Sequence, residues 1–142
     1  ALLAREDGGF GTDLSVNTTG SSADATGMAL MSLIATKGSG TTAQEESKDA
    51  AIAAAKSWLA KNTIKGNHFE AWGDIDVNST AYAIMGLKAA GEDTSAYVAW
   101  LSNQVVEDGG IASAWSEGKG DTFATIQGLL ALDDRSYNEL LG

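Results

Sequence analysis

Asn78-Ser-Thr-Ala-Tyr-Ala-Ile-Met-Gly-Leu87 has two counterparts in the chain, Ala25-Thr-Gly-Met-Ala-Leu-Met-Ser-Leu33 and Asp121-Thr-Phe-Ala-Thr-Ile-Gln-Gly-Leu129. Aligned on Thr26, Thr80 and Thr122, the three share an aliphatic residue four positions on (Leu30, Ile84, Ile126). They also share a small residue at six (Ser32, Gly86, Gly128) and a leucine at seven (Leu33, Leu87, Leu129). Three apolar helices of one pattern make this a repeat protein.

Working outward, Trp58-Leu59 precedes Phe69 by eleven and ten residues, and Trp100-Leu101 precedes Ile111 by the same intervals. The unit is therefore an amphipathic helix ending in Trp-Leu, a glycine-containing turn with an apolar plug, a loop of about ten residues, and an almost wholly apolar helix. Inner helices are expected at about 25–37, 79–90 and 122–132, and outer helices at about 43–61 and 94–106. The period is 54 residues from Thr26 to Thr80 and 42 from Thr80 to Thr122, at or just beyond the range of helical-hairpin repeats. Asp24, Asn78 and Asp121 are read as the N-caps of the inner helices. Ala1 to Arg5 reads as the last turn of one outer helix and Ser136 to Leu141 as the first turns of another, so residues 1–142 form one repeat domain expected to be an excerpt of a longer protein.

Composition narrows the function. Nine basic against 19 acidic residues give a net charge of -10, which disfavours nucleic acid and anionic membrane surfaces. There are no cysteines, hence neither disulfides nor a thiolate zinc site. No stretch reaches the ~20 apolar residues a membrane span needs, so membrane insertion is not expected. Any signal or anchor is expected outside the chain.

Asp7-Gly-Gly-Phe10 and Asp108-Gly-Gly-Ile111, each followed by a loop and one of the apolar helices, resemble the repeats of the squalene-cyclase and protein-prenyltransferase superfamily. In particular the chain resembles the prenyltransferase-like repeat regions of secreted or surface-attached bacterial proteins. The resemblance covers nearly the whole chain and implies an all-α fold, the α/α-toroid, here as a partial ring with three inner helices. It leaves function open, because the superfamily holds enzymes, vitamin carriers and non-catalytic surface modules. An exposed wall of apolar helices implies a cover, either a second copy or a flanking segment.

If the inner helices are parallel, the loops Gly11–Ala23, Glu70–Asn78 and Ala112–Asp121 form the mouth of the ring, where a site is expected. Prenyl transfer needs diphosphate-binding cations and Asp/Cys/His zinc ligands, yet these loops hold one basic residue, Lys119, and the chain's single histidine is His68. No metal and no cofactor is expected. Asp74-Ile-Asp76-Val77 resembles the start of the cyclase Asp-x-Asp-Asp acid motif, with Val77 in place of the last aspartate. Asp76, supported by Asp74, is the candidate general acid of that reading; the competing one has Asp74, Asp76 and Asn78 as a polar turn capping the helix. Asp-x-Asp-x-Asn also resembles a calcium loop, but Ser79 and Met85 stand where its glycine and glutamate belong. His68 is read as a turn residue stacking near an outer-helix end, and retained as a candidate ligand contact. Trp58 and Trp100 recur at one repeat position as wedges between helices, whereas Trp72 and Trp115 fall in the mouth loops as ligand anchors or as lids on the core. Asn17-Thr-Thr19 and Asn78-Ser-Thr80 match the glycosylation pattern.

The function expected is a non-catalytic binding or scaffolding module of a secreted or cell-surface bacterial protein. It would hold a small apolar molecule, a glycan or a protein partner through Trp72, Asp74, Asp76, Trp115 and His68. A terpenoid-cyclase-like enzyme and a cobalamin-type carrier are the alternatives.

Overall fold

Alanine-rich runs separated by glycine turns form helices because alanine loses no side-chain entropy and glycine accepts the backbone angles that end a helix. The computed structural model describes residues 4–12 and 20–140. The Asn17-Thr-Thr19 pattern, most of the first mouth loop and residues 1–3 lie outside them. Among the described residues the protein is mostly helical, with α1 (Ala23–Ala35), α2 (Thr42–Asn62), α3 (Val77–Ala89), α4 (Ser95–Ser102), α5 (Thr122–Leu132) and a 3-10 turn at Tyr137–Leu140. Two short antiparallel hairpins occupy loops expected to be irregular: β1 (Glu70–Ala71) with β2 (Asp74–Ile75), and β3 (Ile111–Ala112) with β4 (Gly120–Asp121).

The start signals are partly those expected. Thr41 and Gln44 form a capping box on α2, and the carboxylates of Asp76 and Asp121 accept the N–H groups of Ser79 and Ala124 at the starts of α3 and α5. Two N-caps need correction. α1 begins at Ala23 with Ser22 before it, which leaves Asp24 inside the first turn. Asn78 lies within α3, where its amide donates to Gln127 Oε1 of α5 at 2.7 Å.

α3 is the centre of the molecule, packing against α1, α4 and α5. Ala81, Ala83, Ile84 and Met85 are all fully enclosed. Burying an aliphatic side chain of this size stabilises by roughly 1.5–3 kcal/mol. α1 and α3 meet backbone to backbone, since a Cβ on Gly86 would lie 2.6 Å from the carbonyl oxygen of Gly27. α3 and α5 run in the same direction. Asn78 near the start of α3 bonds Gln127, and Lys88 near its end bonds Asp134, just past α5, at 2.5 Å.

One hydrogen bond repeats in all three units and corrects the alignment of the third. The plug residue's N–H donates to a threonine hydroxyl on the following helix: Phe10 to Thr26 at 3.0 Å, Phe69 to Thr80 at 3.0 Å, Ile111 to Thr125 at 2.9 Å. Thr125, not Thr122, is therefore the counterpart of Thr80. The two threonines stand three residues apart, about one helical turn, so the apolar pattern tolerates either register while the hydroxyl does not.

The outer helices meet the units before them through their tryptophans. Trp58, near the end of α2, donates its indole N–H to Asp7 Oδ2 at 3.1 Å and covers Gly9. Trp100 of α4 stacks on the His68 ring, centroids 4.9 Å apart and planes 12° from parallel. α4 ends at Ser102, four residues short of expectation. The backbone of 104–106 pairs instead with the next turn, Ala112 N donating to Gln104 O and Val106 N to Gly110 O, both at 2.8 Å. Those amides cannot serve a helix and a ladder at once.

Candidate functional site

The N-terminal ends of α1 and α3 lie on one rim, and the hairpin of β1 and β2 stands between them. Its two-residue loop is Trp72-Gly73, both residues at positive φ, 53° and 84°. That is the backbone of a type I′ turn, which Asn-Gly or Gly-Gly normally fills. Tryptophan is poorly suited to its first position, because a Cβ crowds the backbone in the left-handed region. Trp72 is also 92% exposed, so no packing compensates.

Beside this hairpin lies a cleft of about 460 Å³, walled by Ser21, Asp24, Trp58, Asn62, Glu70 and Trp72 and floored by Phe69. Two of these side chains are held from below: Ser21 Oγ donates to Asp7 Oδ1 at 2.6 Å, and Asn62 Nδ2 donates to Trp58 O at 2.8 Å. Among the described residues no lysine, arginine or histidine lines the cleft. With Asp24 and Glu70 as the charged groups, its potential repels anions and accepts neutral or cationic ligands.

The second mouth hairpin, β3 with β4, carries Trp115 in its loop, 75% exposed. Ser113 ties that loop down, accepting from Trp115 N at 3.3 Å and donating to Asp121 Oδ2 at 3.2 Å. Neither Trp72 nor Trp115 folds back as a lid.

The remaining candidates stand apart from the cleft. Asp74 is exposed on β2, its carboxylate accepting the N–H of Ile75 at 2.8 Å. Asp76 is the N-cap of α3, its Oδ1 held by Ser79 N at 2.5 Å. His68 is buried beneath Trp100, with Nδ1 against Asn67 Oδ1 at 2.7 Å. Burial pushes its imidazole below the usual histidine range, so it is neutral near pH 7. Of the five candidate residues only Trp72 lines the cleft; Asp24, Ser21, Asn62 and Glu70 join it from parts of the sequence that gave no sign of meeting. Asn62, four residues after Trp58 on the same helix face, is the one a helical projection could have placed there.

Among the described residues no group of three His, Asp or Glu side chains is arranged to hold a metal ion. No helix there is long and apolar enough to cross a membrane. Compared with protein-family models, curated proteins and solved structures, the chain finds no significant match. The functional reading rests on the rim itself.

Proposed function

We propose that the chain is a non-catalytic binding module of a secreted or cell-surface bacterial protein, built as a partial α/α-toroid of the squalene-cyclase and prenyltransferase type. Parallel stacking of α3 with α5, the burial of α2 along one face through Ala51, Ala55, Trp58 and Leu59, and the recurring turn support that architecture. The ligand sits in the rim cleft and is held against Trp72. The observation that carries this reading is Trp72 itself, a large apolar side chain kept at full exposure in a backbone conformation that penalises it. A residue costly to fold and useless for packing is retained for contact with something else. The acidic, hydroxyl- and amide-bearing walls fit an uncharged ligand that offers hydroxyl groups and an apolar face, of which a neutral glycan is the representative.

The test is titration calorimetry of the chain against a panel of neutral and acidic oligosaccharides. Binding of neutral members, weakened about tenfold or more by Trp72→Ala, is the expected result. Preference for acidic members, or binding indifferent to Trp72→Ala, would sink the reading.

A further inference from the structure

The three units are equivalent in sequence but not in what covers them, and the difference falls on one side of the molecule. With Thr26, Thr80 and Thr125 as anchors, the next residue in each unit is Gly27, Ala81 and Ile126, and the residue four on is Leu30, Ile84 and Leu129. Gly27 and Leu30 are buried, Gly27 directly against α3. Ala81 and Ile84 are fully enclosed in the cluster that includes Ala124 and Ala131 of α5. Ile126 and Leu129 are 62% and 57% exposed, and Phe123 continues the stripe at 73%. The face by which each inner helix receives its successor is open on α5.

The turns tell the same story independently. In the first, Asp7 Oδ1 accepts Gly9 N while Oδ2 takes the Trp58 indole, and Gly9 is buried. In the second, His68 fills the position of Gly9 and is buried under Trp100. The third repeats the first in backbone, with Gly109 at φ 83° against 89° for Gly8 and Asp108 Oδ1 accepting Gly110 N at 2.9 Å; its Oδ2 accepts Gly120 N at 3.0 Å, which leaves a second lone pair for an indole. Yet Gly110 is only partly buried, and residues 133–142 contain no tryptophan. A depression of about 370 Å³ lies beside this turn, lined by Val106, Glu107, Asp108, Gly118 and Lys119.

We propose that the exposed stripe of α5 and the Asp108–Gly110 turn form one docking surface for a further outer helix–turn–inner helix unit of this same repeat. The outer helix sets a tryptophan on Asp108–Gly110, and the inner helix packs on Phe123, Ile126 and Leu129. The occupant is specified by the two junctions already formed, α2 with α3 on the first unit and α4 with α5 on the second. Charge agrees with this. α5 carries no charged residue in a chain of net charge -10, so its face accepts an uncharged helix face where the rest of the surface would repel an acidic one. This inference is independent of the ligand proposed for the rim.

The test is a chain in which residues 92–134 are duplicated directly after Asp134, which occupies the left-handed position of Gly91 at the end of its helix, followed by hydrogen exchange. Amides of residues 108–112 and of α5 are expected to exchange about tenfold or more slowly than in the unaltered chain. Changing the copied Trp100 to Ala should remove protection at 108–112 and leave that on α5. The double change Ile126→Glu and Leu129→Glu in the original α5 should remove both. A duplicated unit that adds no helical circular dichroism, or adds it without slowing exchange at these sites, overturns the proposal. The unaltered chain gives a second measurement. Sedimentation equilibrium should show a monomer whose stability is unchanged by Ile126→Glu; a dimer dissolved by that substitution assigns the face to a second copy and overturns the proposal equally.

Discussion

The indole N–H of Trp58 reaches Asp7 Oδ2 at 3.1 Å across 51 residues of sequence, joining the end of α2 to the turn that precedes α1. Trp58 is buried there, so the bond is shielded on the indole side. Trp58→Phe keeps most of the packing and loses the bond, and is expected to destabilise by about 1–2 kcal/mol. Trp58→Ala should cost about 3–5 kcal/mol. A double-mutant cycle of Trp58→Phe with Asp7→Ala, followed by urea unfolding, should return a positive coupling energy; strict additivity would show that the contact contributes nothing.

The corrected register of the third unit can be tested at two threonines. Thr125 Oγ1 accepts the N–H of Ile111, as Thr80 accepts that of Phe69. Thr80→Val and Thr125→Val each leave a backbone donor without its acceptor and are expected to cost about 1–3 kcal/mol. Thr122 is exposed, and Thr122→Val should stay within roughly 0.5 kcal/mol of the parent. The reverse ranking in urea melts would restore the alignment on Thr122.

Gly86→Ala is predicted to be among the most damaging single-methyl additions. The new carbon would sit 2.6 Å from the Gly27 carbonyl, and a backbone atom cannot rotate aside as a side chain can. A loss of about 1–3 kcal/mol is expected, even though alanine is the better helix former. Thermal unfolding of the variant measures it, and a melting temperature at or above that of the parent would contradict the close crossing.

Acid sensitivity should come in two stages. Burial pushes the His68 imidazole below its ordinary value, so protonation favours the unfolded chain; this contribution is complete above about pH 6.5 and declines below it. Asp108 is lowered by the N–H groups of Gly110 and Gly120, and Asp134 by Lys88 and then Thr94. Burial raises Asp7, but the hydrogen bonds from Ser21, Gly9 and Trp58 outweigh it and leave the carboxyl lowered. These three contribute stability above a pH of about 4 and lose it as pH falls through their lowered values. Stability measured from pH 8 to 3 should show both declines, and His68→Gln should remove the first.

At Trp72 folding and binding are predicted to part. Trp72→Asn suits the left-handed position, and is expected to leave stability unchanged or raise it by up to about 1 kcal/mol while weakening the proposed affinity at the rim about tenfold or more. Melts and calorimetry on the same preparation test both halves; a large loss of stability would make Trp72 a structural residue.

Much of this architecture was legible because it depends on periodicity. The helices follow from apolar spacing and glycine stops, and Trp58 and Trp100 stood out as wedges because they recur. What escaped depends on contacts that periodicity does not encode. Thr122 and Thr125 look alike to an apolar pattern, and only the hydrogen bond from Ile111 tells them apart. The first hairpin was hidden because Trp72-Gly73 is not the pair a type I′ turn normally carries, and the second because its two-residue strands are separated by residues 113–119. Asp24 and Asn62 meet Trp72 only through the stacking of whole units, so no local spacing announces the cleft.

Asp134 gathers three helix ends at the rim opposite the cleft, its carboxylate bonding Lys88 at the end of α3 and the Thr94 hydroxyl ahead of α4, both at 2.5 Å, just after α5 stops. The connections on that side are brief, residues 36–41 and 90–94, whereas the mouth side runs through residues 63–76 and 103–121. Added length is therefore expected to be tolerated at one end only. Insertions at the hairpin tip Trp72-Gly73 lengthen a segment beyond the anchored plug of Phe69, while insertions beside Asp134 would pull apart the knot that sets the spacing of the helices. The protein has a fixed end and an editable one, and residues can be exchanged at the second without renegotiating the first.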